Sequence, residues 1–201
     1  MNGIAGKQST MPSAMDGIDV RLGARIRVER EAHGWSLSDL SSRSGVSRAQ
    51  INKVERGESS PTASLLGRLS GAFGLTISTL LARAEPVRAG KVIRDRERPE
   101  WRDPASGYIR RQIAPSPGSD LPMDLVRVEL PARASVTYPA SAYAFIRQVV
   151  LVLDGDLTFI EGDVAHKLHS GDSIELGPPS ECTFRNTSGS SCTYLVAVVR
   201  S

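Results

Sequence analysis

The sequence predicts an α + β chain of two domains, a five-helix bundle followed by an all-β barrel. Three observations carry this. The 201 residues exceed one small domain and suit two compact ones. Before residue 85, apolar residues recur with a helical period and prolines are few. From Tyr108 onward, short β-branched runs alternate with Gly, Pro, Asp and Ser, the signature of a sandwich or barrel. Between them, Glu85-Pro86 through Asp103-Pro104 is a charged, proline-punctuated connection. The expected division is a disordered tail (1–18), a helical domain (19–84), a linker and lead-in segment (85–107) and a β domain (108–201).

Composition narrows the class. Hydrophobic residues make up 40% and charged residues 23%, so both parts can bury a core. No apolar run approaches the roughly 18–20 residues of a membrane span. Residues Met1 to Gly17 lack the basic start and apolar stretch of a signal peptide. A cytoplasmic chain with no membrane partner is expected. Cys182 and Cys192 read as free thiols rather than a disulfide framework. The net charge of +3 is unevenly spread: residues 19–85 hold ten basic against seven acidic side chains, whereas residues 86–201 hold fourteen of each. An anionic partner such as DNA would meet the N-terminal half.

The helices follow from local signals. The first is expected over Val20 to His33, with Leu22 and Ile26 on its inner face and Gly34 as its stop. The second starts after Ser36, with Asp39 three residues on. The third starts after Ser47, where Gln50 completes a capping box, and ends at Gly57. Pro61-Thr62 opens a fourth through Leu65, Leu66 and Leu69, which stops at Gly74. Thr76 caps a short fifth carrying Ile77, Leu80 and Leu81. Only Arg43-Ser44-Gly45-Val46 separates the second helix from the third. A glycine in so short a turn forces a sharp corner, which Leu40, Val46, Ile51 and Val54 would lock from inside. That is a helix-turn-helix, whose second helix offers its N-terminal end to base edges in a major groove.

Trp35-Ser36-Leu37-Ser38-Asp39-Leu40, Ser44-Gly45-Val46-Ser47 and Ile51-Asn52-Lys53-Val54-Glu55-Arg56-Gly57-Glu58-Ser59-Ser60-Pro61 resemble the Cro/repressor, or XRE, family of lambda-repressor-like domains. The resemblance spans roughly Val20 to Leu81. It implies double-stranded DNA as partner, a homodimer and a prokaryotic origin. It also implies a structural pair between Arg30 and Glu55. The family's reading positions fall on Arg48, Ala49 and Gln50, with Lys53 one turn later. Arg48 suits guanine O6 and N7, Gln50 suits adenine unless capping holds its side chain, and Ala49 suits a thymine methyl. Lys53 and the Ser47 hydroxyl suit phosphates. Arg43 and Arg56 either add phosphate contacts or simply face solvent. Leu37 departs from the family, which often has a backbone-gripping glutamine there.

In the β domain, Leu151 to Phe159 reads as a hairpin about Asp154-Gly155. Further turns fall at Gly162-Asp163, Gly171-Asp172 and Thr187 to Ser190. Over about Asp124 to Arg200 this series is similar to the cupin superfamily, whose barrel is a jelly roll. Metal-binding cupins need converging histidines and a carboxylate. The matching positions here are Ser141 to Phe145, Gln148 and Cys182, and none is a usual ligand. His166 and His169 lie three apart, so on one strand they would point to opposite faces. His33 sits at a helix end. No metal site and no cofactor are expected. Tyr138, Tyr143, Phe145, Gln148, Cys182 and Phe184 either line a small-molecule pocket or fill the core. Cys182 is either an oxidation sensor or a buried structural thiol.

These readings combine into a sequence-specific transcriptional regulator. Its β domain dimerises and senses a small-molecule effector, and it is not an enzyme. Two alternatives stand beside it. One is a metal-dependent cupin oxygenase or epoxidase, disfavoured by the absent ligands. The other is a protein-interaction adaptor.

Overall fold

The computed structural model describes residues 14–85, 92–115 and 121–200. Five helices open the chain: α1 (Ala14–Ala32), α2 (Leu37–Ser44), α3 (Arg48–Glu55), α4 (Ala63–Phe73) and α5 (Ile77–Ala84). Helix α1 begins before the expected Val20, so residues 14–18 are not part of a disordered tail. The reason lies in the apolar spacing. Ile18, Leu22 and Ile26 stand four apart and are all buried, continuing one stripe toward the core. Residues 1–13 of the expected tail lie outside the described residues.

Caps set the helix starts. Ser36 accepts from the Asp39 N–H at 3.2 Å while the Asp39 carboxylate accepts from the Ser36 N–H at 2.8 Å, a complete capping box. At Ser47 only half a box forms. Its hydroxyl accepts from the Gln50 N–H at 3.3 Å, and the Gln50 side chain does not return the bond. Thr62 and Thr76 cap α4 and α5 in the same one-way manner. Gly45 closes α2 at φ +67°, a left-handed conformation that glycine adopts without steric cost. Leu40, Val46, Ile51 and Val54 are buried behind this corner.

The β domain is antiparallel throughout. One sheet contains β1 (Glu100–Arg102), β2 (Ile109–Ala114), β3 (Met123–Leu130), β5 (Ile146–Asp154), β8 (Ser173–Glu175) and β10 (Cys192–Arg200), in the order β1-β2-β3-β10-β5-β8. The other contains β4 (Ser135–Tyr138), β6 (Leu157–Glu161), β7 (Val164–Leu168) and β9 (Cys182–Arg185), in the order β4-β9-β6-β7. The two layers enclose Val126, Val128, Val150, Val152, Phe159 and Val196. Phe184 of one sheet stacks on Tyr194 of the other at 5.5 Å between ring centroids.

Two expectations about this half are corrected. The Asp154-Gly155 turn does not make a hairpin. Strand β5 pairs with β10 and β8, whereas β6 pairs with β7 and β9. The turn therefore carries the chain from one sheet to the other. Turn residues specify a change of direction, and the pairing partner is chosen by long-range packing. Gly162-Asp163 does close a hairpin, between β6 and β7. The second correction concerns the connection. Residues 86–91 lie outside the described residues, but Glu100 to Arg102 are the edge strand β1, paired with β2. Trp101 is buried there, and that apolar anchor makes the segment part of the barrel.

The bundle sits on the barrel through polar joints. Asp103, buried at the end of β1, accepts from the Ala63 N–H at the start of α4 at 3.1 Å. Thr76, the cap of α5, donates to Asp124 on β3 at 2.7 Å. Arg110 on β2 donates to Ser78 on α5 at 2.5 Å. Among the described residues, no single helix is long and apolar enough to cross a membrane.

Candidate nucleic-acid interface

Helix α3 is amphipathic in the simplest way. Ile51 and Val54 face the core, while Ser47, Arg48, Ala49, Gln50, Asn52 and Lys53 are exposed. Its N-terminal end thus projects the three candidate reading residues, Arg48, Ala49 and Gln50, and Lys53 follows one turn later. Among the described residues, Arg48 makes one hydrogen bond, a long one of 3.4 Å to the Ser38 hydroxyl. Because the Ser47 cap uses the main-chain N–H of Gln50, the Gln50 amide is left for another partner. Free N–H groups and the helix dipole at this end favour a phosphate.

The remaining basic candidates differ in setting. Arg43 lies over the Trp35 ring, 4.4 Å from its centroid, a cation–π contact that orients it. Arg56 pairs with Glu58 at 2.6 Å, so a phosphate would have to compete with that carboxylate. Leu37 packs partly buried against the core rather than reaching outward.

Behind α3, Arg30 and Glu55 form a two-pronged pair. Arg30 Nε and Nη2 donate to the two Glu55 oxygens at 2.7 and 2.8 Å, and Nη1 donates to the Trp35 carbonyl at 2.9 Å. Hydrogen bonding to Glu55 holds the Arg30 guanidinium above its ordinary pKa. A second clamp was not foreseen from the sequence. Glu29 is buried, and Arg25 and Arg83 donate to its carboxylate at 2.5 and 2.7 Å. Burial pushes the Glu29 carboxyl up, but bonds from Arg83 and Arg25 outweigh it and leave it below its ordinary value. The signal available was Glu29 one turn after Arg25, but nothing local pointed to Arg83.

In the barrel, Tyr138, Tyr143, Gln148 and Phe184 share a cavity of about 40 Å³ with Arg110, Thr76 and Ile77. Two of the six pocket candidates fall elsewhere. Phe145 is 41% exposed. The 3-10 turn at Ala140–Tyr143 points Tyr143 inward, and Ile146 rather than Phe145 completes the wall. Cys182 is buried outside this cavity, and its thiol contacts Ser180 at 3.6 Å. Burial pushes the Cys182 thiol up, and the Cys192 thiol to about 11. Both stay protonated near neutrality, which suits structural thiols. The residue that sequence reasoning missed is Arg110, which reads as an ordinary basic residue in a strand.

His166 lies on β7, and His169 Nδ1 lies 2.7 Å from Asp156. His33 Nδ1 lies 2.8 Å from the Glu29 carbonyl. Among the described residues, no three or more His, Cys, Asp or Glu side chains converge as metal ligands would.

With this geometry in place, the helical head and the whole chain each have recognisable relatives. Residues 26–80 match the helix-turn-helix family HTH_3. HTH-type transcriptional regulator SutR of Escherichia coli is 36% identical over 61 residues, covering 30% of this chain and 34% of that protein. An uncharacterized HTH-type transcriptional regulator of Mycobacterium bovis is 33% identical over 112 residues, covering 45% and 43%. The chain therefore spans less than half the length of either relative. A crystal structure of an HTH_3 family transcriptional regulator from Vibrio cholerae superposes with a TM-score of 0.76 at 18% identity, covering 92% of this chain and 99% of that one. That likeness shows that the two share a fold over helical head and β body together.

Proposed function

We propose that the protein is a sequence-specific DNA-binding transcriptional regulator. Residues 19–84 are its DNA-binding domain. Residues 108–201, with the edge strand at Glu100–Arg102, are a dimerisation and sensor domain. The observation that carries this reading is the exposed leading end of α3, where Arg48, Ala49 and Gln50 stand free of the core. Arg48 and Gln50 read base edges, Ala49 meets a thymine methyl, and Ser47 and Lys53 hold phosphates, with Arg43 and Arg56 at the margin.

A homodimer fits the outer face of the six-stranded sheet. In register across β5, β10 and β3 lie Leu151, Leu195 and Arg127, then Val149, Ala197 and Leu125. Val149 and Val199 are largely exposed. An apolar stripe of this kind calls for a cover, and a second copy supplies the same stripe about a two-fold axis. Two α3 helices then read half-sites about 34 Å apart.

Selection of bound fragments from a genomic library tests the reading. One palindromic motif should emerge. Arg48→Ala should weaken binding to it by about 1–3 kcal/mol and relax preference at a single base position. Recovery of fragments without any shared motif would refute sequence-specific regulation.

A further inference from the structure

The joint between bundle and barrel holds a cation without an ion-pair partner among the described residues. Arg110 is 9% exposed, and there its guanidinium has only neutral hydrogen-bond partners: the Tyr108 hydroxyl at 3.1 Å and the Ser78 hydroxyl at 2.5 Å. Among the described residues its Nε has no hydrogen-bond partner, and neither has the buried hydroxyl of Tyr138, which is 5% exposed and has the Tyr108 hydroxyl near it. Asp124 attracts Arg110 from beyond ion-pair distance, and its carboxylate accepts from Thr76 at 2.7 Å. Buried charges are ordinarily paired, and a buried polar atom without a partner calls for an explanation. Arg110 and Tyr138 line the same cavity, together with Gln148 and the apolar side chains of Ile77, Phe184 and Val198.

We propose that this cavity binds a small organic monocarboxylate, with its carboxylate on Arg110 and Tyr138. The inference rests on the sensing half of the proposed function and supplies its ligand class. The guanidinium neutralises one negative charge and the hydroxyl donates to it, and the rest of the cavity wall carries no second cation. The cavity volume of about 40 Å³ is room for roughly three waters, the size of a carboxylate head. A bay of about 330 Å³ shares Tyr143, Ile146 and Gln148 with it and opens toward Leu176 and Gly177. Its cation, Arg147, is already paired with Glu175 at 3.2 Å. The bay takes the tail. Burial keeps the Tyr138 hydroxyl well above its ordinary pKa, so it remains a donor to an anion.

The placement links ligand to DNA binding. Ser78 and Thr76 both belong to the start of α5, and α5 clamps α1 through Arg83 and Glu29. An anion drawing on Arg110 changes how α5 is held on the barrel. It shifts DNA affinity insofar as the two arrangements bind it unequally.

Calorimetric titration of the full chain without DNA decides the matter, using acetate, butyrate and hexanoate, with butyramide and inorganic phosphate as controls. At least one carboxylate should bind, and butyramide should bind at least about tenfold more weakly. Arg110→Met should abolish binding. Tyr138→Phe removes a hydroxyl that has no partner and keeps the ring against Phe184, so it folds even where Arg110→Met does not. It should weaken the carboxylate about fivefold. Absence of carboxylate binding, equal binding by butyramide or phosphate, or parental affinity in Tyr138→Phe would overturn the site. A parallel titration of selected DNA with and without saturating carboxylate tests sensing separately. Unchanged DNA affinity alongside intact, Tyr138-dependent carboxylate binding sinks the sensing reading and supports the site.

Discussion

Buried charge is treated differently on the two sides of the joint. Among the described residues of the helical bundle, the buried carboxylates are matched: Glu29 by Arg25 and Arg83, and Glu55 by Arg30. On the barrel side Arg110 is held only by hydroxyls, and Tyr138 has an idle one. Matched groups fix geometry. A bidentate arginine–carboxylate pair sets one orientation of two helices, and α3 must be held rigidly to fit a groove. Unmatched groups leave hydrogen-bonding capacity for a ligand. On the proposed reading, the contrast separates a presenting surface from a receiving one within a single small chain.

The sharpest way to break this contrast is to unmatch a pair in the bundle. Glu55→Ala leaves Arg30 nearly buried, with the Trp35 carbonyl at 2.9 Å and the half-exposed Glu31 carboxylate at 3.5 Å as its remaining partners. It should cost about 3 kcal/mol, because a desolvated guanidinium loses its bidentate partner. Denaturant unfolding reads this directly. Replacing both partners with Arg30→Met and Glu55→Leu should recover much of the loss while DNA specificity degrades. A double variant no more stable than Glu55→Ala would show that the pair is not an isolated unit.

Next in size is an attack on the joint itself. Gly71 lies where α4 crosses the barrel, and a Cβ there would stand 2.8 Å from the Ser141 carbonyl oxygen. That is backbone, so relief requires moving the helix. Gly71→Ala should cost about 1–3 kcal/mol. Under limited proteolysis the loss should concentrate between bundle and barrel, with the α2–α3 corner intact. A uniform loss of protection across the bundle would mean that head and body fold as one unit.

The same contrast explains what the sequence could reveal. Helix starts at Ser36, Ser47, Thr62 and Thr76 were legible because caps are local chemistry. The buried faces of α2 and α3 were legible because their period is local too. The Arg30–Glu55 pair came from resemblance, since its partners stand 25 residues apart. The Asp154-Gly155 turn misled, because turn residues cannot say which sheet the next strand joins. Trp101 inside an apparent linker, and Ile18 inside an apparent tail, were single apolar residues in polar surroundings. Arg110 was invisible. Its role depends on Ser78, Tyr108 and Tyr138 being brought together by three separate elements, and no pattern within β2 foretells that.

A smaller effect should appear in acid. The ordinary carboxyl value for Glu29 is 4.5, and its folded value is lower. A depressed carboxyl contributes stability that is complete above the unfolded value and is lost as pH falls through the folded one. Thermal unfolding followed downward from pH 6 should therefore show a loss that begins near pH 4.5. Glu29→Gln should be less stable at pH 6 and should show a shallower decline in acid. Parallel pH curves for the two proteins would assign the acid transition to other carboxylates.

The least stability change and the cleanest reading belong to Lys53. It is exposed one turn into α3, and among the described residues it takes part in no ion pair. Lys53→Ala should leave unfolding unchanged. If the side chain neutralises one phosphate, the slope of log affinity against log salt should flatten by about one unit on every sequence tested. Arg56 supplies the internal control. It is also exposed but already engaged by Glu58 at 2.6 Å, so Arg56→Ala should alter the slope less. The comparison turns on whether a basic residue is spent within the fold or left for the duplex. Equal slopes for the Lys53 variant and its parent would remove Lys53 from the interface, and a larger change at Arg56 would mean that the Glu58 pair opens when DNA arrives.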